Sequence, residues 1–223
     1  MKGKNLIFDS SSLITLSMNG LLDELERLKK IFKGDFLITK EVEHECVSRP
    51  MKIKKYALGA FGINKLIKNK TLVFPRVDNR KLKKETQLSL KLANHIYSAR
   101  NEWLKIIQEG EASCLALAKI LKNSVLVVDE RTTRLLGEDP KKLEKILSRK
   151  LHSGVRIDKK NLSYFKDFKF LRSSELVYVA YKKGLVDIKG EKGLLDALLY
   201  GVKFKGCSIS SDEIKEIERL EKL

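Results

Sequence analysis

Short apolar runs alternate along the chain with longer segments in which apolar residues recur every three to four positions. The clearest helical repeat spans residues 21–32, where Leu21, Leu25, Leu28 and Phe32 fall at i, i+4, i+7 and i+11. The apolar runs predict buried strands at residues 5–8, 35–38, 71–74, 124–128 and 168–171. Strands that alternate with helices predict an α/β fold with a mostly parallel central sheet, covered by helices on both faces.

The other periodic segments predict helices, several of which have a capping residue or a glycine at one end. Thr39 is suited to cap a helix that runs to Val47, and Gly184 is suited to end a helix at residues 174–182. Further helices are predicted at residues 13–18 (capped by the preceding serines), 53–67, 82–107, 194–202 and 212–223, and from Glu111 onward. Residues 138–165 are predicted to form helix and loop, interrupted at Gly154.

Acidic residues follow two of the predicted strands and lie on the inner faces of two predicted helices. Asp9 ends the first strand, and Asp129 ends the fourth. Glu45 and Glu111 share their helical faces with apolar residues, so their carboxylates are expected to point inward. In parallel sheets the functional crevice lies beyond the carboxyl ends of the strands. If the first and fourth strands are neighbours, these acids face one another there.

Each of these acids has an ordinary structural explanation when it is considered alone. An Asp after a strand is a common helix N-cap, and acids in a first helical turn interact favourably with the helix dipole. Considered together, carboxylates in one pocket repel one another and take up protons unless cations hold them. Oxygen ligands suit Mg²⁺ or Mn²⁺, which activate a bound water and offset charge on a phosphodiester.

The positive charge is concentrated in two segments. The chain carries a net charge of +17, of which residues 49–91 contribute +11 and residues 140–172 contribute +8, so the remainder is at −2. Two basic blocks beside a balanced core indicate a polyanion-binding surface, and we place nucleic acid above a membrane as the partner. Aromatic residues near the blocks can stack on unpaired bases, although such residues more often belong to the core; they are Tyr56, Phe61, Tyr97, Trp103, Tyr164 and Phe165.

Other features narrow the cellular context. No run of about 18 apolar residues is present, which excludes a helical membrane span. The first four residues lead directly into a strand without a signal-peptide core, so we expect a cytoplasmic protein. Cys46, Cys114 and Cys207 are far apart and odd in number, which favours buried free thiols over disulfides or a zinc site.

The acids and their neighbours form a recognisable pattern when they are read in order. The segments are Asp9-Ser10-Ser11-Ser12-Leu13-Ile14, Ile38-Thr39-Lys40-Glu41-Val42-Glu43-His44-Glu45, Gly110-Glu111-Ala112 and Leu126-Val127-Val128-Asp129-Glu130-Arg131. This pattern resembles the PIN domain family. Within that family it is similar to a prokaryotic, toxin-like subgroup with an arginine-bearing short helix and a later Leu-x-x-x-Ala-x-x-x-Gly-Leu helix, which residues 176–185 match.

The resemblance implies a three-layer α/β/α fold and an Mg²⁺- or Mn²⁺-dependent endoribonuclease. Asp9, Glu45, Glu111 and Asp129 map onto the family's metal-binding, catalytic acids, and Glu130 is an optional fifth. Ser10 or Ser11 is expected to support Asp9. The expected partners are single-stranded or structured RNA, a small antitoxin or other protein, and a second copy in a homodimer. We expect one PIN-like domain over residues 1–223, with basic insertions at about 49–105 and 138–172.

Two alternative functions remain open at the level of sequence. A non-catalytic RNA-binding protein can keep this fold while its acids serve only as helix caps. An aspartyl-phosphate protein also places an Asp after the first strand. Hydrolases of that kind usually need a second Asp two residues later, where this chain has Ser11, and a receiver domain needs a lysine at the end of a late strand. The aspartyl-phosphate hypothesis therefore ranks low.

Overall fold

The computed structural model describes residues 5–188 and 190–221. The strands are β1 (Asn5–Phe8), β2 (Phe36–Leu37), β3 (Tyr97–Ala99), β4 (Glu102–Trp103), β5 (Ser124–Val127), β6 (Val155–Ile157) and β7 (Phe170–Leu171). The helices are α1 (Ser10–Met18), α2 (Leu22–Ile31), α3 (Lys40–Glu43), α4 (Lys54–Lys68), α5 (Asn79–Ala93), α6 (Glu109–Leu121), α7 (Arg131–Glu138), α8 (Pro140–Leu151), α9 (Lys159–Leu162), α10 (Ser173–Lys182), α11 (Leu194–Phe204) and α12 (Ser211–Glu221).

The central sheet has the strand order β2-β1-β5-β7, and each neighbouring pair is parallel. Phe8 lies opposite Val127, so β1 and β5 end together and the residues after them start from the same edge. The neighbouring placement of the first and fourth predicted strands is thereby confirmed. Helices surround this sheet in a three-layer α/β/α arrangement, and the middle of α6 is buried, contributing Ala112, Leu115 and Leu117 to the core.

The entry to α1 differs from the prediction because Asp9 itself caps the helix. Its carboxylate accepts a hydrogen bond from the Ser11 amide at 3.0 Å, so α1 begins at Ser10, three residues before the predicted start. Thr39 caps α3 as predicted, accepting from the Val42 amide at 3.2 Å. The helical path then continues through a π-helical turn, His44–Ser48, which carries Glu45.

The helix predicted over residues 82–107 is wrong beyond Ala93. The chain instead forms the hairpin β3–β4, which pairs with β6 in a second, antiparallel sheet of order β4-β3-β6. Asn94 explains the change locally, because its side chain accepts from the amides of Ile106 and Ile107 and donates to the Ile107 carbonyl. The strand partner β6 is remote in sequence, so local periodicity carried no signal for this sheet.

Smaller differences concern the remaining predictions. The strand expected at residues 71–74 is reduced to one parallel bridge between Leu37 and Val73. The last helix is observed to Glu221, and the predicted end at residues 222–223 lies outside the described residues. All three cysteines are buried free thiols, as expected. No helix in the described ranges combines the length and the apolar character that crossing a bilayer requires.

Candidate active site

Asp9 sits at the end of β1 with its carboxylate only half satisfied. The residue is 1% exposed. Its Oδ2 accepts from the Ser11 amide at 3.0 Å and from Ser11 Oγ at 2.5 Å. Its Oδ1 is buried without a hydrogen-bond partner among the described residues. A buried carboxylate oxygen without a donor is costly unless a proton or a cation compensates its charge.

Glu45 reaches Asp9's neighbourhood from the π-helical turn that follows α3. Ser10 Oγ donates to Glu45 Oε2 at 2.8 Å, which ties this glutamate to the first residue of α1. The other side of the carboxylate lies against Gly110, where an added Cβ would come within 2.6 Å of Oε1 and 2.7 Å of Cδ. Gly110 is therefore needed for close approach, because any side chain there would displace Glu45.

Glu111 lies in the first turn of α6, immediately after that glycine. Its Oε2 accepts from the backbone amide of Gln108 at 2.5 Å, which is one half of a capping box at the start of the helix. The ordinary capping explanation is thus correct for Glu111. Capping uses only one of its carboxylate oxygens, however, and Glu111 is still near enough to Asp9 and Glu45 to feel their charges.

Burial and neighbouring carboxylates raise the pKa values of Asp9 and Glu111. Burial, opposed by the Ser11 hydrogen bonds and assisted by the charge of Glu45, raises the pKa of Asp9 to about 6. Burial and then the charge of Asp9 raise the pKa of Glu111 to about 7. Across the part of the chain that is described, the ion pairs involve other residues, so no lysine or arginine neutralises this group. We call Asp9, Glu45 and Glu111 the acid cluster.

Asp129 follows β5 and is fully buried, but its surroundings are different. Its Oδ1 accepts from the Ser173 amide at 2.7 Å, and its Oδ2 accepts from Ser173 Oγ at 2.7 Å. Its backbone amide donates to Ser11 Oγ at 3.1 Å, and its carbonyl accepts from the Ser208 amide at 3.1 Å. Asp129 thereby joins the acid cluster through Ser11 while its carboxylate anchors the start of α10.

Glu130 and Glu111 both line an open cleft of about 610 Å³. Its Oε2 accepts from the Thr133 amide at 2.8 Å and caps α7. Its charge also contributes to the raised pKa of Glu111. The cleft between the two glutamates is lined further by Asn94, Lys105 and Gln108, so a basic side chain stands at its edge.

The structure therefore places Asp9, Glu45 and Glu111 near one another, gives Glu130 a place in the cleft that Glu111 lines, and turns Asp129 toward Ser173. Within residues 5–188 and 190–221, no three histidine, cysteine, aspartate or glutamate side chains are close enough to share one metal ion as they stand. Of the two serines expected to support Asp9, Ser11 does so and Ser10 supports Glu45 instead.

The family comparison decides the classification. A model described as a PIN domain matches residues 5–141, more than half of the chain. The chain belongs to the PIN domain family. Comparison with curated proteins and with solved structures gives no match.

The PIN domain match confirms the resemblance drawn from the motifs and contains all four of the predicted acids. PIN domains have a nuclease-like fold, are generally nucleases and typically use divalent metals, and the family suggests RNA as the substrate. The match carries no description of a toxin-like subgroup. That subgroup, an antitoxin, a homodimer and a cytoplasmic location stay predictions.

Two residues that shape this PIN domain site were missed in the sequence. Gly110 entered the sequence analysis only as part of the Gly110-Glu111-Ala112 motif, without a role in the approach of another acid. Ser173 follows β7, which is a parallel neighbour of β5. The strand-end argument that singled out Asp129 therefore also applied to Ser173, which was placed one residue outside the predicted helix. Ser173 lies beyond residue 141, where the family match ends.

Proposed function

We propose that this PIN domain is a divalent-metal-dependent endoribonuclease. The observation that carries the proposal is the acid cluster itself, in which a buried Asp9 oxygen has no donor and two carboxyl groups have raised pKa values. Such a cluster is destabilised when it is fully ionised, and a divalent cation with oxygen preference relieves that cost. This donor set of carboxylate oxygens fits Mg²⁺ or Mn²⁺ and does not suit a softer metal.

The residues proposed to hold the ion are Asp9, Glu45 and Glu111, with Asp129 as the fourth predicted ligand. When bound, the ion supplies an activated water and offsets the charge that develops on the phosphodiester. Asp129 differs from the others because both its oxygens already accept from Ser173, so it has only its remaining lone pairs to offer. Glu130 lines the same cleft as Glu111 and is the optional fifth acid.

The chain's own residues prepare this site in three ways. Ser11 fixes the Asp9 carboxylate, and Ser10 fixes that of Glu45. Gly110 lets Glu45 approach the start of α6. Lys105 at the edge of the cleft and the net charge of +17 attract a polyanionic strand toward the acids, which would otherwise repel it.

Cleavage assays with matched variants test this function. Purified protein is incubated with labelled single-stranded and structured RNAs in EDTA, Mg²⁺ or Mn²⁺. We expect cleavage only with metal, and a loss on the order of a hundredfold or more in Asp9→Asn and Glu111→Gln. Asp212→Asn is the matched control, because this side chain is 96% exposed and lies in α12, outside the acid cluster.

Equal cleavage by Asp9→Asn and the unchanged protein, or no cleavage with either metal, contradicts the proposal. RNA binding that depends on salt but not on EDTA, together with absent cleavage, supports the non-catalytic RNA-binding alternative instead. Within the proposal, a toxin role, neutralisation by a small antitoxin and assembly into a homodimer rest on the resemblance alone.

A further inference from the structure

The second sheet has one buried face and one exposed face. Tyr97, Ala99 and Val155 point into the core and are 0%, 8% and 7% exposed. Ser98 alternates to the other face and lies opposite Trp103 on one side and Arg156 on the other. Directly opposite residues of antiparallel strands share a face, so Trp103, Ser98 and Arg156 form one row across the exposed side. We call this row the sheet row.

Trp103 presents its ring to solvent with partial support from below. It lies on the edge strand β4 and is 48% exposed. The His95 ring lies 5.3 Å from the Trp103 ring, at 45°, and supports one side of it. His95 is itself held by a contact of its Nδ1 with the Lys91 carbonyl at 2.7 Å. The tryptophan is therefore positioned by the fold and does not cover the core.

The sheet row is rigidly connected to the cleft beside the acid cluster. Residues 104–107 run from Trp103 to Gln108 and are held by the hydrogen bonds of Asn94 to Ile106 and Ile107. Gln108 then donates to Glu111. Five residues of extended chain span at most about 18 Å, so Trp103 and Gln108, the residue before α6, are separated by no more than that.

Both basic blocks converge on this sheet. The first block ends in α5, directly before His95, and the second block contains β6 with Arg156. The β3–β6 ladder joins them, and Tyr164 Oη donates to Glu85 at 2.6 Å, which secures the second block against α5. Arg156 is exposed on the sheet row, about two strand spacings, or about 10 Å, from Trp103. A ring and a guanidinium at that separation offer an unpaired base a stacking partner and a phosphate an ion partner.

We propose that the sheet row binds single-stranded RNA, with an unpaired base stacked on Trp103 and a backbone phosphate on Arg156. The proposal deepens the nuclease function and rests on it for the choice of RNA. It assigns the substrate strand a path along the second sheet toward the cleft, and it gives the enzyme a preference for unpaired regions. The bases of duplex RNA are stacked on one another inside the helix, so they cannot stack on the Trp103 ring.

The other aromatic residues considered as stacking partners are less suited. Tyr97 and Phe165 are buried, and Tyr164 uses its hydroxyl to bond Glu85 and Ser89. Tyr56 and Phe61 are exposed on α4, which lies outside the second sheet and does not line the cleft between Glu111 and Glu130. Trp103 alone among these aromatics combines exposure, a basic residue in register and a direct chain connection to the acids.

Trp103 is the only tryptophan of the chain, so its intrinsic fluorescence reports contact at this position. The full-length protein carrying Asp9→Asn is titrated in EDTA with a single-stranded oligouridylate, which removes any dependence on cleavage. We expect quenching that follows the binding curve of the same oligonucleotide measured by anisotropy. Duplex RNA of equal length and an abasic ribose-phosphate strand are expected to bind through charge without quenching.

Variants separate stacking from charge. Stacking contributes about 1–3 kcal/mol per base, so Trp103→Ala is expected to weaken oligouridylate binding roughly five- to 150-fold, while Trp103→Phe keeps most of the affinity. Arg156→Gln is expected to weaken binding and reduce its salt dependence. Phe204→Ala, which removes an aromatic residue that is 76% exposed on α11, is the matched control and leaves binding unchanged.

Two results overturn the inference. One is oligonucleotide binding by anisotropy without any change in tryptophan fluorescence, and the other is equal binding by Trp103→Ala and Phe204→Ala. Because these measurements need neither metal nor cleavage, the nuclease function can fail while the sheet row still binds RNA. Conversely, if the protein cleaves RNA with metal and Trp103→Ala binds the oligonucleotide as tightly as the unchanged protein, the nuclease function is supported and the RNA-binding role of the sheet row is contradicted.

Discussion

Two neighbouring strands of the central sheet each end in a buried aspartate, and the two aspartates have different surroundings. Asp9 after β1 has one carboxylate oxygen bonded to Ser11 and one without a partner among the described residues. Asp129 after β5 has both oxygens bonded to Ser173. Asp9 also faces Glu45 and Glu111, whereas Asp129 faces the start of α10.

The two aspartates are not level in the sheet. Phe8 pairs with Val127, so Asp129 lies one residue further along its chain than Asp9, and the two carboxylates meet different neighbours. A carboxylate whose two oxygens both accept hydrogen bonds is stabilised without a cation, although each oxygen keeps a lone pair that a metal can use. A carboxylate that is half bonded, buried and close to other acids is costly when it is charged, and a bound cation removes that cost. We therefore expect Asp9 to behave as a functional residue and Asp129 to behave largely as a structural one.

The largest expected difference is in the stability of the metal-free protein at pH 8. Asp9→Asn removes a costly charge while its amide oxygen can still accept from Ser11, so the free energy of unfolding is expected to rise by as much as about 3 kcal/mol. Asp129→Asn places an amide nitrogen against a Ser173 donor and is expected to lower it by about 1–3 kcal/mol. Urea unfolding in EDTA measures both. Changes of the same sign in the two variants would remove the distinction.

The pH dependence of stability should report the raised pKa values of Asp9 and Glu111. In the folded state the pKa of Asp9 is raised from its ordinary value of 3.8 to about 6. The pKa of Glu111 is raised from 4.5 to about 7. A raised carboxyl pKa stabilises the protonated folded state, so these groups contribute a loss of stability as pH rises from about 4 to about 7.

The difference in unfolding free energy between the unchanged protein and Asp9→Asn, measured across that range in EDTA, isolates the contribution of Asp9. We expect the advantage of the variant to grow between about pH 4 and pH 6 and then to level off. A difference that does not vary with pH would mean that Asp9 is ordinarily ionised in the folded state.

Metal binding should stabilise the unchanged protein and should not stabilise Asp9→Asn. A free Mn²⁺ concentration 100 times the dissociation constant adds about 2.7 kcal/mol to stability. Thermal denaturation with increasing Mn²⁺ is expected to show a rising midpoint for the unchanged protein and most of that rise for Asp129→Asn. If Asp9→Asn and Asp129→Asn lose the Mn²⁺-dependent rise in midpoint equally, Asp129 contributes as much to metal binding as Asp9, and the proposed difference between them is wrong.

The smallest effects are expected from the serines that support the two sites. Ser173→Ala removes one hydroxyl bond to Asp129 and is expected to cost about 1 kcal/mol of stability with little effect on the Mn²⁺ response. Ser10→Ala removes the bond to Glu45, and we expect a smaller stability change but weaker Mn²⁺ binding. Thermal titrations of both variants side by side measure the two effects. The reverse assignment of the effects would contradict the roles given to the two strand ends.

The candidate site was largely predictable because its acids obey local rules. Asp9 and Asp129 directly follow apolar strands, and Glu45 and Glu111 lie on helical faces with apolar neighbours. Each of these statements depends on residues within one or two turns, where periodicity is reliable. The PIN domain resemblance depended on the order of the same segments and is confirmed. The single domain with basic insertions stays a prediction, since the family match covers residues 5–141.

The second sheet was not predictable in this way. Charged residues at helical spacing continue past α5, and the hairpin turn at Arg100 and Asn101 has left-handed backbone angles that only Asn favours. The strand that completes the sheet, β6, lies more than fifty residues later, inside a segment assigned to helix and loop. Pairing between remote strands depends on tertiary contacts that no local pattern contains.

The amino-acid sequence alone determined the α/β class, the parallel strands, the four inward acids and the positive charge, because each follows from residue type and short-range spacing. Only the tertiary structure decided that Asp9 keeps one carboxylate oxygen without a partner among the described residues, while Asp129 has both oxygens bonded. Gly110 leaves room for Glu45 at the start of α6. Ser173, in a helix that begins more than forty residues after Asp129, donates hydrogen bonds to both oxygens of the Asp129 carboxylate. Hydrogen-bond satisfaction is a property of the folded neighbourhood, and it is this property that separates a structural carboxylate from one proposed to bind metal.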